Sequence, residues 1–367
     1  MNESPLLQEA TMQLSVIVPA RNEADCIRDC LVSLIRQSEQ TFALGRDWEL
    51  LVVDDDSTDD TRRVAEKLGG SLVLTAPSLP RGWMGKNNAV WFAAQQARGR
   101  WLLFTDADTV HEPGGLLRAM HEAEKHKAAL LSYSPRQIVQ GLWQRALMPL
   151  VFSDLATVYP PAKVNDAATR IAAANGQFLL VERNAYFAVG GHKAVSGSML
   201  EDVALAIKFK QAHHVIRFRY APDEVAAHMY RSLLGMLEGW TKNLALLFPQ
   251  PLLLATFRMV DFFLLLGLPL MLWLLPQLTL VFWWAKVALV LIWLRTLVRY
   301  FVRVARSHFS AANCILSIAG LPLFSLLLAR AWFRKMLRKP VRWKGRVYGK
   351  HFSNGEKQGS KPSPPRI

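Results

Sequence analysis

Two carboxylates separated by a single residue, Asp106 and Asp108, follow directly on an apolar run in "RWLLFTDADTV". Side chains two apart in extended backbone point the same way, and a turn can splay them. Carboxylate oxygens so placed could hold a divalent cation, Mg2+ or Mn2+, whose remaining positions a phosphate-bearing ligand completes. The plain alternative is a loop pair or a helix cap. A second cluster, Asp54, Asp55 and Asp56, sets three like charges in a row, which is costly unless hydrogen bonds or a ligand use them. A third, Glu201 and Asp202 in "MLEDVALAIKFK", opens a helical pattern. These acids either cap that helix, or one is a general base whose pKa its neighbour raises, and both roles can coexist.

The elements that must position these clusters can be read from periodicity. "LSVIVPA" is a β-branched run ending in Pro, followed by a segment in which Ile27, Leu31, Leu34 and Ile35 recur at helical spacing. "WELLVVDDDSTDDTRRVAEKLG" repeats the cycle, with Ser57, Thr58 and Asp59 as candidate caps and Gly69 and Gly70 as the stop. "SLVLTAP", a loop "SLPRGWMG" and the helix "KNNAVWFAAQQARG" form a third, and "RWLLFTDAD" supplies the fourth strand. Alternating strands and helices predict an α/β fold with a mostly parallel sheet covered on both faces. In such sheets ligands bind beyond the carboxyl ends of the strands, so "PARNE", "DDDSTD" and "TDAD" are expected to meet at one rim. Neither GxGxxG nor GxxxxGK[ST] follows the first strand, which argues against a dinucleotide dehydrogenase or a P-loop enzyme.

Charge and hydropathy divide the chain. Residues 286–367 hold 17 Lys or Arg against one acid, Glu356, whereas residues 1–285 are near neutral, 27 bases against 28 acids. The excess therefore belongs to the C-terminal region. There "RTLVRYFVRVAR" and "RAWFRKMLRKPVRWKGR" flank apolar segments, so the expected partner is an anionic membrane leaflet rather than nucleic acid. No Asp or Glu occurs from Phe262 to Gly355, and the candidate membrane spans are 254–275, 278–294 and 312–333. With the catalytic part and basic tail both cytoplasmic, crossings must be even in number. Two spans are expected, the third segment bending back at Gly320 and Pro322 or lying at the interface. "GLWQRALMPLVFSDLATVYPP" is expected to be an interfacial helix. The start "MNESPLLQEATMQ" lacks the basic and apolar regions of a signal peptide. Cys26, Cys30 and Cys314 suggest reduced structural thiols.

Taken together, "SVIVPARNE", "VVDDDSTDD", "TDAD" and "LED" resemble, in order and approximate spacing, the family 2 glycosyltransferases, inverting enzymes with the GT-A fold. "PRGWMGKNNA", "YPPAKVNDAATRIAAANGQFLLVER", "EGWTKN" and "RWKGRVY" resemble the membrane branch that includes hopanoid-associated and carotenoid glycosyltransferases. The resemblance implies a Rossmann-like GT-A domain followed by transmembrane helices in the cell's inner membrane. Its domains would be a polar tail at 1–12, a nucleotide-sugar half at 13–135, and an acceptor half with interface helices at 136–250. A membrane region at 251–335 and a basic cytoplasmic tail at 336–367 would follow. It implies a nucleotide-diphosphate sugar as donor, UDP being the commoner choice, and a lipid acceptor. On it, Asp108 is the firmer metal ligand with Asp106 between ribose and metal. Asp54 and Asp55 match the paired acids of "VDDGS", Asp56 standing where Gly is common. Pro19, Ala20, Asn22 and Glu23 match the first-strand edge that meets the nucleotide, and Lys86 matches the lysine of "GWxGK". Asp202 matches the base position and Glu201 its acidic neighbour. His228 matches a late metal ligand of some relatives; Arg231 and Trp240 fall where processive synthases carry QxxRW, a motif absent here. A polysaccharide synthase, or a silent membrane scaffold retaining the fold, is the competing reading.

Overall fold

The structure, a computed structural model, describes residues 12–274, 283–337 and 341–348. It divides into two compact units: residues 1–137, 162–227 and 340–367 in the first, and residues 138–161 and 228–339 in the second. The domain boundaries expected from sequence differ from this division. The helix Gly141–Val158 groups with the C-terminal helices, and residues 341–348 belong to the first unit.

In the first unit, β1 (Met12–Ala20), β2 (Trp48–Asp54), β3 (Leu72–Thr75) and β4 (Gly99–Phe104) are the four strands expected from the apolar runs. β5 (Thr109–His111), β6 (Leu130–Ser134), β7 (Arg136–Gln137), β8 (Leu179–Glu182), β9 (Ile216–Tyr220) and β10 (Val225–Ala227) follow, and β11 (Val341–Trp343) and β12 (Arg346–Tyr348) close the unit. Seven of them form one sheet in the order β3-β2-β1-β4-β8-β6-β9. Only β8 runs against its neighbours β4 and β6; the other pairings are parallel. A second sheet has the order β5-β10-β7.

Every residue of β2 is buried, as a strand covered on both faces requires. The helix Ile27–Ile35 packs Ile27, Leu31 and Leu34 into the same core as Val16, Trp48 and Leu50, each such burial contributing about 1.5–3 kcal/mol before entropy is counted. Strand order reverses at β1, which lies between β2 and β4. Such a switch point opens a crevice at the strand ends. Register brings the ends together: Ala20 pairs with Asp54, and Ile17 with Phe104, so the loops after all three strands emerge on one rim.

The second unit is helical. Pro251–Phe262 continues through a π-turn, Phe263–Gly267, into Leu268–Leu274, and Trp283–Val304 and Ala311–Met336 follow. Two helical stretches, Pro251–Leu274 and Ala311–Met336, are long and apolar enough to cross a membrane. The expected span 278–294 lies partly outside the described residues; its remainder belongs to Trp283–Val304, which carries Lys286, Arg295, Arg299 and Arg303. The expected bend-back at Gly320 and Pro322 does not occur, because Ala311–Met336 is one continuous helix. Gly320 has a different purpose: a Cβ there would collide with the backbone carbonyl of Ala146 on Gly141–Val158. On that second helix Leu147, Leu150 and Val151 are fully buried in this unit's core with Leu321 and Phe324, while Leu142 and Trp143 at its start are exposed. Arg258 and Asp261, which interrupt the apolar run in the sequence, are paired. Arg258 grips Asp154 through two bonds of 2.9 Å, and Asp261 receives Arg258, Arg299 and Arg303 at 2.5–2.8 Å. Buried charge persists only when paired in this way.

Candidate active site

At the end of β1, Pro19 is half-buried and Ala20 buried, and the Ala20 carbonyl accepts from the Asp55 amide at 2.8 Å. Asn22 takes a left-handed conformation, φ 52°, which Asn tolerates better than most residues. Its side-chain oxygen accepts from the Thr58 amide at 2.8 Å, fastening the loop after β1 to the loop after β2. Asn22 thus braces the rim internally, a use the residue pattern did not indicate. The Glu23 amide donates to Thr61 Oγ1, and its carboxylate meets the Lys344 ammonium.

Asp54 closes β2 and its Oδ1 accepts from the Ser57 amide at 3.2 Å. Asp55 is 5 % exposed and faces the Arg346 guanidinium. Burial lifts its pKa above the usual carboxylate range, although Arg346 and Arg21 pull the other way. Asp56 is exposed with φ 61°, so an Asp here adopts the left-handed turn that a Gly adopts at no steric cost.

Asp106 and Asp108 stand in the turn between β4 and β5, not on a strand. A buried polar cluster holds this turn from behind. Thr109 Oγ1 donates to the Asp106 carbonyl at 2.7 Å, Thr105 Oγ1 to the Gln177 carbonyl at 2.8 Å, and His111 Nε2 lies 3.1–3.2 Å from both threonine hydroxyls. Burial pushes the His111 pKa down to about 3, so it stays neutral and acts as a fixed strut. Beside it, burial pushes the Cys30 thiol up to about 12, which leaves it inert.

The Asp106 carboxylate pairs with Lys86 at 2.7 Å, whereas Asp108 Oδ1 is buried without any hydrogen-bond partner. Burial, then Asp106 and Glu23, raises the Asp108 pKa to about 7. An orphaned carboxylate oxygen beside other acids is a group short of a cation. Among the described residues no three His, Cys, Asp or Glu side chains could by themselves hold a metal ion. Two carboxylates nonetheless suit a hard divalent cation whose shell phosphate and water complete, so these residues fit such a group.

Lys86, one residue into the helix Gly85–Gln96, joins the two halves of the rim: its ammonium lies 2.7 Å from Asp106 and 2.8 Å from Glu201. Burial opposes its charge, but the two carboxylates prevail and hold its pKa well above the lysine range. Glu201 and Asp202 open the helix Glu201–Gln211, and their pKa values are driven apart. Burial raises Glu201, but Lys86 outweighs it and the net shift is downward. Asp202 is raised to about 7 by burial and by the Glu201 charge. Its two oxygens accept from the Gly176 and Val203 amides, each at 2.8 Å, which fixes the carboxylate's orientation. Gly176 has no room to spare: a Cβ would sit 3.0 Å from Lys86 Nζ and 3.6 Å from Asp202 Oδ2. One carboxylate held ionised beside one poised near neutrality is the arrangement of a counter-ion next to a general base.

Residues 15–186 match the family described as glycosyl transferase family 2. The matched stretch holds β1 to β4 and the acids that follow them, so this part of the chain is similar to that family. Among similar proteins, a 4,4'-diaponeurosporenoate glycosyltransferase of Staphylococcus haemolyticus is 27% identical over 246 residues, 65% of this chain and 62% of the relative. One of the same name from Staphylococcus aureus is 27% identical over 241 residues, 63% of this chain and 60% of the relative. The chain spans about three fifths of the length of these curated relatives. A solved mannosyltransferase from Pyrobaculum calidifontis, in complex with GDP-Man and Mn2+, has a TM-score of 0.51 and 18% identity over 90% of this chain and 89% of its own. That likeness establishes the GT-A fold expected from the strand and helix pattern.

The remaining expected residues lie in the second unit. Trp240 is buried there against Tyr230 and Phe152, Arg231 is exposed, and burial, then the Arg231 charge, lowers the pKa of His228. Sequence reasoning in turn missed Arg21, Gly176, the Thr105, Thr109 and His111 strut, and the β11–β12 hairpin. Arg21, Thr105, Thr109, Gly176 and the hairpin lie inside motifs quoted above, "PARNE", "RWLLFTDADTV", "YPPAKVNDAATRIAAANGQFLLVER" and "RWKGRVY", but residue type alone gave them no role.

Proposed function

We propose that this chain is an inverting glycosyltransferase that moves a sugar from a nucleotide-diphosphate sugar to a hydroxyl or carboxyl of a membrane lipid. The observation that carries this reading is the Lys86 bridge. It ties the Asp106 carboxylate of the donor rim to Glu201, the neighbour of the candidate base Asp202. Asp54 and Asp55 would meet base and ribose, with Pro19, Ala20 and the Asn22–Glu23 turn forming the floor. Asp108, with Asp106, would hold Mg2+ or Mn2+. When bound, that ion supplies neutralising charge to the departing diphosphate.

Asp202 then has one task, to take the acceptor's proton as its oxygen attacks the anomeric carbon from the face opposite the leaving group. A carboxylic acid acceptor is already ionised at neutral pH and needs no base, so dependence on Asp202 separates a hydroxyl from a carboxyl acceptor. The relatives' printed name, a glycosyltransferase of diaponeurosporenoate, supports an apolar acceptor. So do the two apolar helices and the exposed Trp273, Trp283 and Trp284, a surface suited to lipid. The chain's place is then an inner membrane, its GT-A domain and basic segments on the anionic cytoplasmic leaflet.

The test is transfer from UDP- and GDP-linked radiolabelled hexoses to a bacterial lipid extract by the detergent-purified chain, compared with Asp108→Ala. Labelled lipid made by the wild type and absent with the variant supports the reading. Label in a high-molecular-weight polymer instead would indicate a polysaccharide synthase. Donor binding without any transfer would indicate a scaffold.

A further inference from the structure

The hairpin β11–β12 is built to carry charge to the donor rim. Its two-residue turn, Lys344 and Gly345, has φ of 44° and 79°, the left-handed pair of a tight hairpin turn. Lys344 therefore sits at the tip and Arg346 begins the return strand opposite Trp343. The tip is fastened by Arg21 Nε, which donates to the Lys344 carbonyl at 3.0 Å. The Lys344 ammonium reaches the Glu23 carboxylate, and the Arg346 guanidinium reaches the Asp55 carboxylate. Arg346 also points to Asp56 at 3.7 Å, and the Gly85 amide donates to Tyr348 Oη at 3.4 Å. Gly85 must lack a side chain, because a Cβ would collide with both Arg346 and Asp55. Three loops of the rim, those after β1, β2 and β3, thus meet the hairpin.

Those contacts exceed what fastening a strap requires, and the chemistry of the rim gives them a use. A nucleoside diphosphate brings two or more negative charges to a rim dense in carboxylates. Among the described residues, two other cations of the rim are likewise engaged by it. Lys86 is held between Asp106 and Glu201, and Arg21 NH1 donates to the carbonyls of Asp55 and Asp56. No glycine-rich phosphate loop follows β1. Phosphate recognition then falls to cations from elsewhere, and Arg suits it through its planar fork.

We propose that Lys344 and Arg346 are donor-positioning residues: the hairpin carries them to the rim, where they hold the diphosphate of the bound nucleotide, their charges resting on Glu23 and Asp55 until it arrives. This rests on the reading of the rim as a nucleotide-sugar site, and adds to it a phosphate-binding element from the far end of the chain.

The experiment is equilibrium binding in MnCl2 of UDP and GDP, and of uridine and guanosine, to the full-length chain and to Lys344→Gln, Arg346→Gln and Arg346→Lys. Losing one charge-assisted contact to phosphate weakens binding roughly 10- to 100-fold. The expected result is that loss for the diphosphate in each Gln variant, nucleoside binding unchanged, and partial recovery in Arg346→Lys. Equal weakening of diphosphate and nucleoside would overturn the proposal and leave the hairpin a structural strap. Unchanged diphosphate binding, or tighter binding as for a mere placeholder, would overturn it too. If Arg346→Gln does not fold, Lys344→Gln at the turn tip carries the same comparison. Should the wild type bind neither UDP nor GDP, the donor-site reading itself fails, an outcome distinct from failure of the hairpin alone.

Discussion

Replacing Asp202 by Asn keeps the shape of the side chain and removes its basicity. With a hydroxyl acceptor, loss of a positioned general base costs about 10²–10⁴-fold in kcat, and on the proposed reading donor binding should be little changed. The pH profile carries more information. Asp202 works only when deprotonated, and its pKa is raised to about 7 by burial and by Glu201. Activity should therefore climb tenfold per pH unit below about 7 and level off above it, roughly a tenth of the maximum at pH 6. Glu201→Gln removes the like charge, so its acid limb should move to lower pH. Stability should run the opposite way. A carboxyl whose folded pKa lies above its unfolded value of 3.8 lends stability that is complete below 3.8 and lost as pH rises through about 7. At pH 8 the wild type should thus be less stable than Asp202→Asn by on the order of 1–2 kcal/mol, discounted for partial solvent access, and the gap should close at pH 4. The assay is glycolipid formation from pH 5 to 9 beside thermal unfolding of both proteins. A flat profile, or a profile unmoved by Glu201→Gln, would refute the assignment of Asp202 as base.

Other expectations follow from the same geometry. Chelation by EDTA should abolish transfer and Mn2+ or Mg2+ should restore it, while Asp108→Ala should lose Mn2+ binding seen by titration calorimetry without unfolding. Gly85→Ala should weaken UDP binding at least tenfold, because the added methyl displaces the Arg346–Asp55 pair; equilibrium titration checks it. In the helical unit, Arg258→Ala removes both hydrogen bonds to the buried Asp154 carboxylate and one of the three arginines on Asp261, and should cost about 3–5 kcal/mol, read as a fall in the unfolding midpoint in detergent. Asp56→Gly, which relieves a left-handed Asp, should leave that midpoint unchanged or raise it slightly.

What could be read from sequence was whatever local order encodes. Parallel strands buried on both faces appear as unbroken apolar runs, and the acids at their ends, Asp54, Asp55, Asp106 and Asp108, fall where the chain leaves the sheet. Asp202 and Glu201 were visible as a helix start, but not their opposite shifts, which depend on Lys86 over a hundred residues away. Pairs such as Lys344 with Glu23 and Arg346 with Asp55 join residues 321 and 291 positions apart, and no periodicity relates them. The same holds for Asp154 with Arg258, 104 apart. Gly320 and Pro322 misled for a related reason. They look like a break, yet Gly320 is small to admit the Ala146 backbone, a contact set by packing rather than by propensity.

The central claim is that the acids after β1, β2 and β4 and at the start of Glu201–Gln211 serve one bound sugar nucleotide. An experimental structure with Mn2+ and UDP tests it most directly. The account predicts the metal on the Asp108 carboxylate, the uridine beside Asp54 and Asp55, and Asp202 facing the open side of the diphosphate. Metal or nucleotide density elsewhere, with these carboxylates untouched, would contradict it.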